Sequence, residues 1–152
     1  MKTLSNPKDK SEIIERVQRV KLTSQGRWGK MSAHQMICHL NDTYLLYLGE
    51  RDVSPDAVPY PRAILRWVAL WVPIPWPKGF KTRPEIDQQV GGTQPVDFES
   101  DRQKLLTTIQ RFVPKALSGK QHFHPSFGPM SERDWMRLAY LHGDHHLRQF
   151  GE

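Results

Sequence analysis

Apolar positions recur at helical spacing in four stretches of this chain. From about Ser11 to Lys21, Ile13, Ile14, Val17 and Val20 share one face. From Ser32 to about Leu48, Ala33, Ile37, Leu40 and Tyr44 form a second stripe. Ser32 and Gln35 have the Ser-x-x-Gln spacing of a capping box, which satisfies two orphan backbone donors at a helix start. A third predicted helix begins at Asp97 or Ser100 and runs to Phe112. There Ser100 and Gln103 repeat the box, and Leu105, Leu106, Ile109 and Phe112 supply the buried face. The last runs from Ser131, with Asp134 three residues on, to about Phe150, where Gly151 is a suitable stop.

Between the second and third of these helices lies a crossover with eight prolines, from Pro55 to Pro95. It reads as loop, apart from a short apolar helix over about Arg62–Val72. No repeat and no convincing set of paired strands appears. The pattern predicts one all-α domain over residues 1–152: a four-helix bundle in up-down-down-up order, with an added short helix in the crossover. The apolar run Ala63–Trp76 is too short to span a bilayer, which needs about 20 apolar residues, and Arg66, Pro73 and Pro75 interrupt it. It is predicted to pack over the core or wall a pocket, not to enter a membrane. The cluster Trp67, Trp71 and Trp76 hints at a homodimer contact.

Charge changes this picture little. Lysine and arginine number 22 against 16 acidic residues, a net +6, but the basic residues are dispersed. They suit a solvated basic surface better than a specific nucleic-acid partner. The single cysteine, Cys38, excludes an intramolecular disulfide and any cysteine-rich zinc module. The first nine residues hold no apolar run of the secretory kind, so a cytoplasmic protein is expected.

The candidate chemistry lies in the seven histidines. His142 and His146 are four residues apart, so on a helix they project from one face and can converge on one metal ion. Trp135, Leu138 and Gln149 share that stripe, which therefore faces inward. Two inward imidazoles are costly to bury without partners, and a metal is one such partner. His145 is rotated about 100° from His146 and is set aside. Asp144 is on the far side and is expected to meet solvent. Gly143 marks either a close helix or cofactor approach or a tolerated surface glycine.

On the second helix His34 and His39 point about 140° apart, so at most one faces the site. His39, midway along, is favoured. His122 and His124 read as loop residues that could line a pocket mouth. Asp42, three residues after His39, either orients a ligand or accepts a proton, or is a surface carboxylate. Gln149 is placed to anchor a ligand from behind. Cys38 points away from His39 and reads as a buried structural thiol. The spacings exclude a zinc metalloprotease, since position 143 is Gly where Glu is needed. They also exclude a Glu-x-x-His di-iron bundle, and no Gly-rich phosphate loop occurs.

The segment Trp28-Gly29-Lys30-Met31-Ser32-Ala33-His34-Gln35-Met36-Ile37-Cys38-His39-Leu40 resembles the second-helix signature of the DinB/YfiT-like superfamily. The closing His142-x-x-x-His146 with Gln149 resembles its last-helix motif. More narrowly, His124-Pro125-Ser126-Phe127-Gly128, Trp135 and His145 to Gly151 are similar to a bacterial branch of it without an assigned reaction. The resemblance implies a bundle, often dimeric, holding one divalent metal through His39, His142 and His146, and it includes thiol-dependent transferases and isomerases.

Three imidazoles leave at least one coordination position open, as catalytic sites do. Imidazole ligation suits zinc or nickel, among others. The expected function is a metal-dependent enzyme acting on a small molecule. One route is a thiol-dependent S-transferase with a low-molecular-weight thiol as co-substrate. The alternatives are a hydrolase using metal-bound water and a non-catalytic dimeric helical binding protein.

Overall fold

The computed structural model describes residues 1–54, 61–79, 82–117 and 123–152. They are predominantly helical. The elements are α1 (Pro7–Arg19), α2 (Ala33–Tyr47), α3 (Arg62–Trp71), a 3-10 turn (Pro84–Ile86), α4 (Phe98–Arg111), the single turn α5 (Pro114–Leu117) and α6 (Glu132–Gln149). No helix is long and apolar enough to cross a membrane.

Helix starts follow local side-chain chemistry. The Ser32 side chain accepts from the Gln35 amide while Gln35 bonds back to the Ser32 amide, and Ser131 with Asp134 does the same for α6. One start differs from the sequence expectation, and another settles on Asp97, the first of its two candidates, in place of the Ser100–Gln103 box. Helix α1 begins at Pro7, where Asn6 caps the Lys8 amide and proline occupies a position whose N–H would be unused. Helix α4 is capped by Asp97, which accepts from the Ser100 amide, so Ser100 lies inside the first turn. A two-residue antiparallel ladder pairs β1 (Phe123–His124) with β2 (Gly128–Pro129), a small hairpin absent from the expectation.

Helix α2 packs on α4 and α6, and α1 packs on the same two helices. Their shared interior contains Ile13, Val17, Ile37, Leu40, Tyr44, Leu105, Ile109, Phe112, Leu138 and Leu147, all essentially inaccessible. At about 1.5–3 kcal/mol for each large side chain buried, this interior is the main source of stability. Where α1, α2 and α6 meet, a Cβ on Gly143 would stand 2.5 Å from the Tyr44 hydroxyl. Tyr44 donates to the Ala139 carbonyl at 3.0 Å. Gly143 is therefore a close helix approach. Asp144, expected in solvent, instead accepts from Arg16 at 2.7 Å and ties α1 to α6.

Helix α3 packs on α6 through Leu70, which is fully buried, while Trp67 on its outer face is 60% exposed. Trp71 donates to Asp134 and Trp76 to the Ala69 carbonyl, so both are tied to the structure and only partly accessible.

Candidate metal centre

Helices α2 and α6 meet where each turns its histidines inward. His39 comes from the middle of α2, and His142 and His146 come from successive turns of α6. Their ligand nitrogens all lie within 4.8 Å of one another. His39 Nε2 stands 3.2 Å from His142 Nε2. Two nitrogens on one tetrahedral zinc, each about 2.0–2.1 Å from it, are about 3.3 Å apart. The identity of the three donors and the spacing of the His39–His142 pair therefore fit a divalent metal.

The other ring nitrogen of each histidine is occupied, which decides what Nε2 offers. His39 Nδ1 is 2.8 Å from the Ile86 carbonyl oxygen. A carbonyl only accepts, so Nδ1 carries the proton and Nε2 presents a lone pair. His146 Nδ1 is 2.9 Å from Gln149 Oε1. The Gln149 amide nitrogen donates to the Trp28 carbonyl at 2.7 Å, which fixes that amide with its oxygen towards His146. His146 Nδ1 is thus a donor and its Nε2 is also a lone pair.

His142 Nδ1 lies 2.8 Å from the Tyr47 hydroxyl, which can donate or accept. Without a cation, Tyr47 donates to Nδ1 and His142 Nε2–H points at the His39 lone pair. If His142 Nε2 held a cation, its ring proton would sit on Nδ1 and be donated to the Tyr47 oxygen. Tyr47 serves both tautomers. Such outer partners orient ligand rings and raise their basicity.

Electrostatics favour the ligand state. Burial pulls the protonation of His39, His142 and His146 below the ordinary value of 6.5, and the neighbouring imidazoles add to this at His142 and His146. All three are neutral at pH 7, as metal binding requires. Among the described residues no carboxylate is hydrogen-bonded to any of them. The carboxylates whose field reaches the triad, Asp42 and Asp87, act on His39.

Asp42 is neither a surface group nor a proton acceptor at the site. It is fully buried and accepts from Arg51, Gln88, and both the amide and the hydroxyl of Thr93. Arg51 also donates to the Glu85 carbonyl at 2.7 Å. Asp42 therefore pins the crossover that carries Ile86, whose carbonyl orients His39. Tyr47 and Ile86 were not among the residues singled out from the sequence; Gln149 was, and it stands behind His146.

The remaining histidines fall outside the triad. His145 packs against Trp28, Trp76 and the edge of His146, with ring centroids 5.9, 6.0 and 5.3 Å away. His124 is more than a loop residue. It stacks on Phe127 and contacts Tyr47 and Trp135, while its Nδ1 accepts from the Ser126 and Phe127 amides. His122 lies outside the described residues.

His34 pairs with Asp101 at 2.9 Å, and Cys38 Sγ lies 3.7 Å from the same carboxylate. These three residues form a second compact group. Burial opposes ionisation of Asp101, but Lys104, His34 and the Val96 amide together hold its carboxyl well below the usual range. Burial and the Asp101 charge push the Cys38 thiol up to about 12. The carboxylate is already saturated and the thiol protonated, so this group is a closed hydrogen-bond cluster.

The loop preceding α2 completes the centre. Gly29 adopts φ +79°, and a Cβ there would stand 2.7 Å from Gln149 Nε2. Glycine thus lets the loop cross over Gln149 closely enough for the Trp28 carbonyl to receive its bond.

No curated protein and no solved structure matches the chain. A family model described as protein of unknown function (DUF1569) matches residues 54–152, a stretch that carries His142 and His146 but ends short of His39 on α2. The match spans more than half of the 152 residues, and the chain belongs to the DUF1569 family.

Proposed function

We propose that this protein is a metal-dependent enzyme that binds one divalent ion, zinc or nickel, through His39, His142 and His146. The observation that carries the reading is the convergence of three neutral imidazoles whose Nδ1 atoms are each held from behind, with two Nε2 atoms 3.2 Å apart. The resemblance to DinB/YfiT-like proteins points the same way. In that reading α1, α2, α4 and α6 are the four helices of an up-down-down-up bundle, α3 is an insert in its crossover, and the protein is a homodimer.

The bound metal would supply Lewis-acid activation of a coordinated nucleophile at its open position. Between a thiol and water, the resemblance to thiol-dependent transferases favours the thiol, and the lack of a free carboxylate at the triad among the described residues agrees with it. Hydrolytic zinc sites of the His-Glu-x-x-His type set a carboxylate beside the water as general base. Here Asp42 and Asp87 are engaged in the crossover loop. A low-molecular-weight thiol needs no such base, because coordination itself favours the thiolate. Cys38 is not that thiol, since it is buried and protonated.

Metal analysis of untagged protein tests the site. Near-stoichiometric zinc or nickel is expected, lost in His39→Ala and His142→Ala but retained in His145→Ala. Equally low metal in wild type and variants would end the reading. Conjugation assays of the metal-loaded protein against a panel of thiols and electrophiles then test the reaction. Silence with every thiol, together with turnover of an ester or amide, would move the assignment to a hydrolase.

A further inference from the structure

One indole borders the triad directly, and a second reaches it through His145. Trp76 stands 6.1 Å from His142 and 6.0 Å from His145 between ring centroids, and Trp28 stands 5.9 Å from His145. Both are held in place, Trp76 by the bond from its Nε1 to the Ala69 carbonyl and Trp28 by the Gln149 bond to its own carbonyl. Gln149 also orients His146, so the Trp28 backbone is coupled to the ligand set itself. Neither ring is fully buried.

The carboxylate whose field reaches His145, Asp144, is already paired with Arg16, and the other charge beside these rings is basic. Lys78 Nζ lies 4.6 Å over the Trp28 ring, and among the described residues no carboxylate pairs with it. A divalent ion on three neutral imidazoles would keep its full charge, with no carboxylate bonded to the ligands. The result is a cationic centre beside flat apolar walls.

We propose that the substrate of this centre is an anion with a planar apolar body, lodged against Trp28 and Trp76 and drawn in by Lys78; the inference rests on the metal reading above. Aromatic faces favour flat rings over aliphatic groups of equal area, and uncompensated positive charge favours the ionised acid over its neutral analogue. Both preferences can be measured without knowing the natural substrate.

The probe is 2-naphthoate, compared with the neutral 2-naphthalenemethanol, in calorimetric titrations of zinc-loaded full-length protein whose metal content is measured in every variant. Naphthoate is expected to bind more tightly than the alcohol. Trp76→Leu and Trp28→Leu keep apolar bulk but lose the flat ring, and each is expected to weaken naphthoate roughly ten-fold with metal retained. Lys78→Gln is expected to weaken naphthoate about three-fold and leave the alcohol unchanged. Trp67→Leu, on the outer face of α3, is expected to match wild type. If metal is retained but naphthoate binds no better than the alcohol, or ignores both tryptophan changes, the inference falls and the metal centre stands. Wild-type protein that holds no metal overturns both.

Discussion

The Tyr47 hydroxyl lies 2.8 Å from His142 Nδ1, inside a ring of aromatic side chains that includes Tyr44, Phe112 and Trp135. Burial holds its phenol well above the ordinary value of 10, so it stays protonated and can act as donor or acceptor. Tyr47→Phe keeps the packing but leaves His142 Nδ1–H without an acceptor whenever Nε2 is a ligand. Metal affinity is expected to fall roughly 10–100-fold, with little change in unfolding midpoint. Chelator competition on wild type and Tyr47→Phe measures this; equal affinities would show that Tyr47 only packs.

The three buried imidazoles also set an acid limit. In the folded metal-free protein burial keeps them neutral below the pH at which they ordinarily protonate, whereas in the unfolded chain they take up protons near 6.5. The unfolded state therefore binds more protons as pH drops below that value. Their contribution to stability is intact above about pH 6.5 and lost as the pH falls through it, by up to about 1.4 kcal/mol per pH unit for each histidine. Thermal melts of chelator-treated protein from pH 8 to pH 5 should show the decline, with a shallower slope in His142→Gln. Parallel slopes would refute the assignment to His142.

What could be read from the chain and what could not divide along physical lines. His142 and His146 were legible because a four-residue spacing on a helix brings two side chains together whatever the rest of the fold does. His39 followed from its place midway along the second helix, beside Leu40, and Gln149 from lying within a turn of His146. Tyr47 was hidden because an aromatic near the end of an apolar helix looks like core, which it also is. The Ile86 carbonyl had no signature at all, since any residue supplies a backbone acceptor and only the fold of the crossover aims it. Asp42 misled for a related reason. Its neighbours Arg51, Gln88 and Thr93 come from the crossover, where hydropathy carries no periodic signal. The start of α1 at Pro7 was missed because the apolar stripe begins only at Ile13, leaving Asn6 and Pro7 as the sole cue.

Cys38 gives a prediction about reactivity. With its thiol pushed up to about 12 by burial and the Asp101 charge, it has almost no thiolate at pH 8. Folded protein should resist iodoacetamide there and become alkylated only in denaturant, as mass spectrometry would show. Cys38→Ala should keep full thiol-conjugation activity. Rapid labelling of native protein, or loss of activity in the alanine variant, would bring Cys38 back as a functional thiol.

Gly143 is a case in which helix propensity and packing oppose each other. Alanine would gain about 1 kcal/mol in an isolated helix. Its Cβ would meet the Tyr44 hydroxyl at 2.5 Å and contact Ile13. Tyr44 is buried on all sides and bonded to Ala139, so it has little room to yield. Overpacking costs about 1–3 kcal/mol, so Gly143→Ala is expected to lower stability on balance. The double variant with Tyr44→Phe should recover part of the loss in denaturant titrations. A stabilised single variant would mean that the contact yields easily.

Asp42 tests whether the crossover loop steers the metal centre. Its carboxylate binds Arg51, Gln88 and Thr93, and Arg51 in turn holds the Glu85 carbonyl one residue before Ile86. Asp42→Asn keeps the shape, removes the charge opposite Arg51, and turns a donor towards groups that are themselves donors. Breaking a buried pair typically costs about 3–5 kcal/mol. The Arg51 side chain retains 25% exposure, so the lower end of that range is expected. If the loop sets the Ile86 carbonyl, His39 loses its orienting bond and metal affinity falls together with the denaturation midpoint. A lowered midpoint with unchanged metal affinity would show that Asp42 serves the fold alone and that His39 is oriented without it.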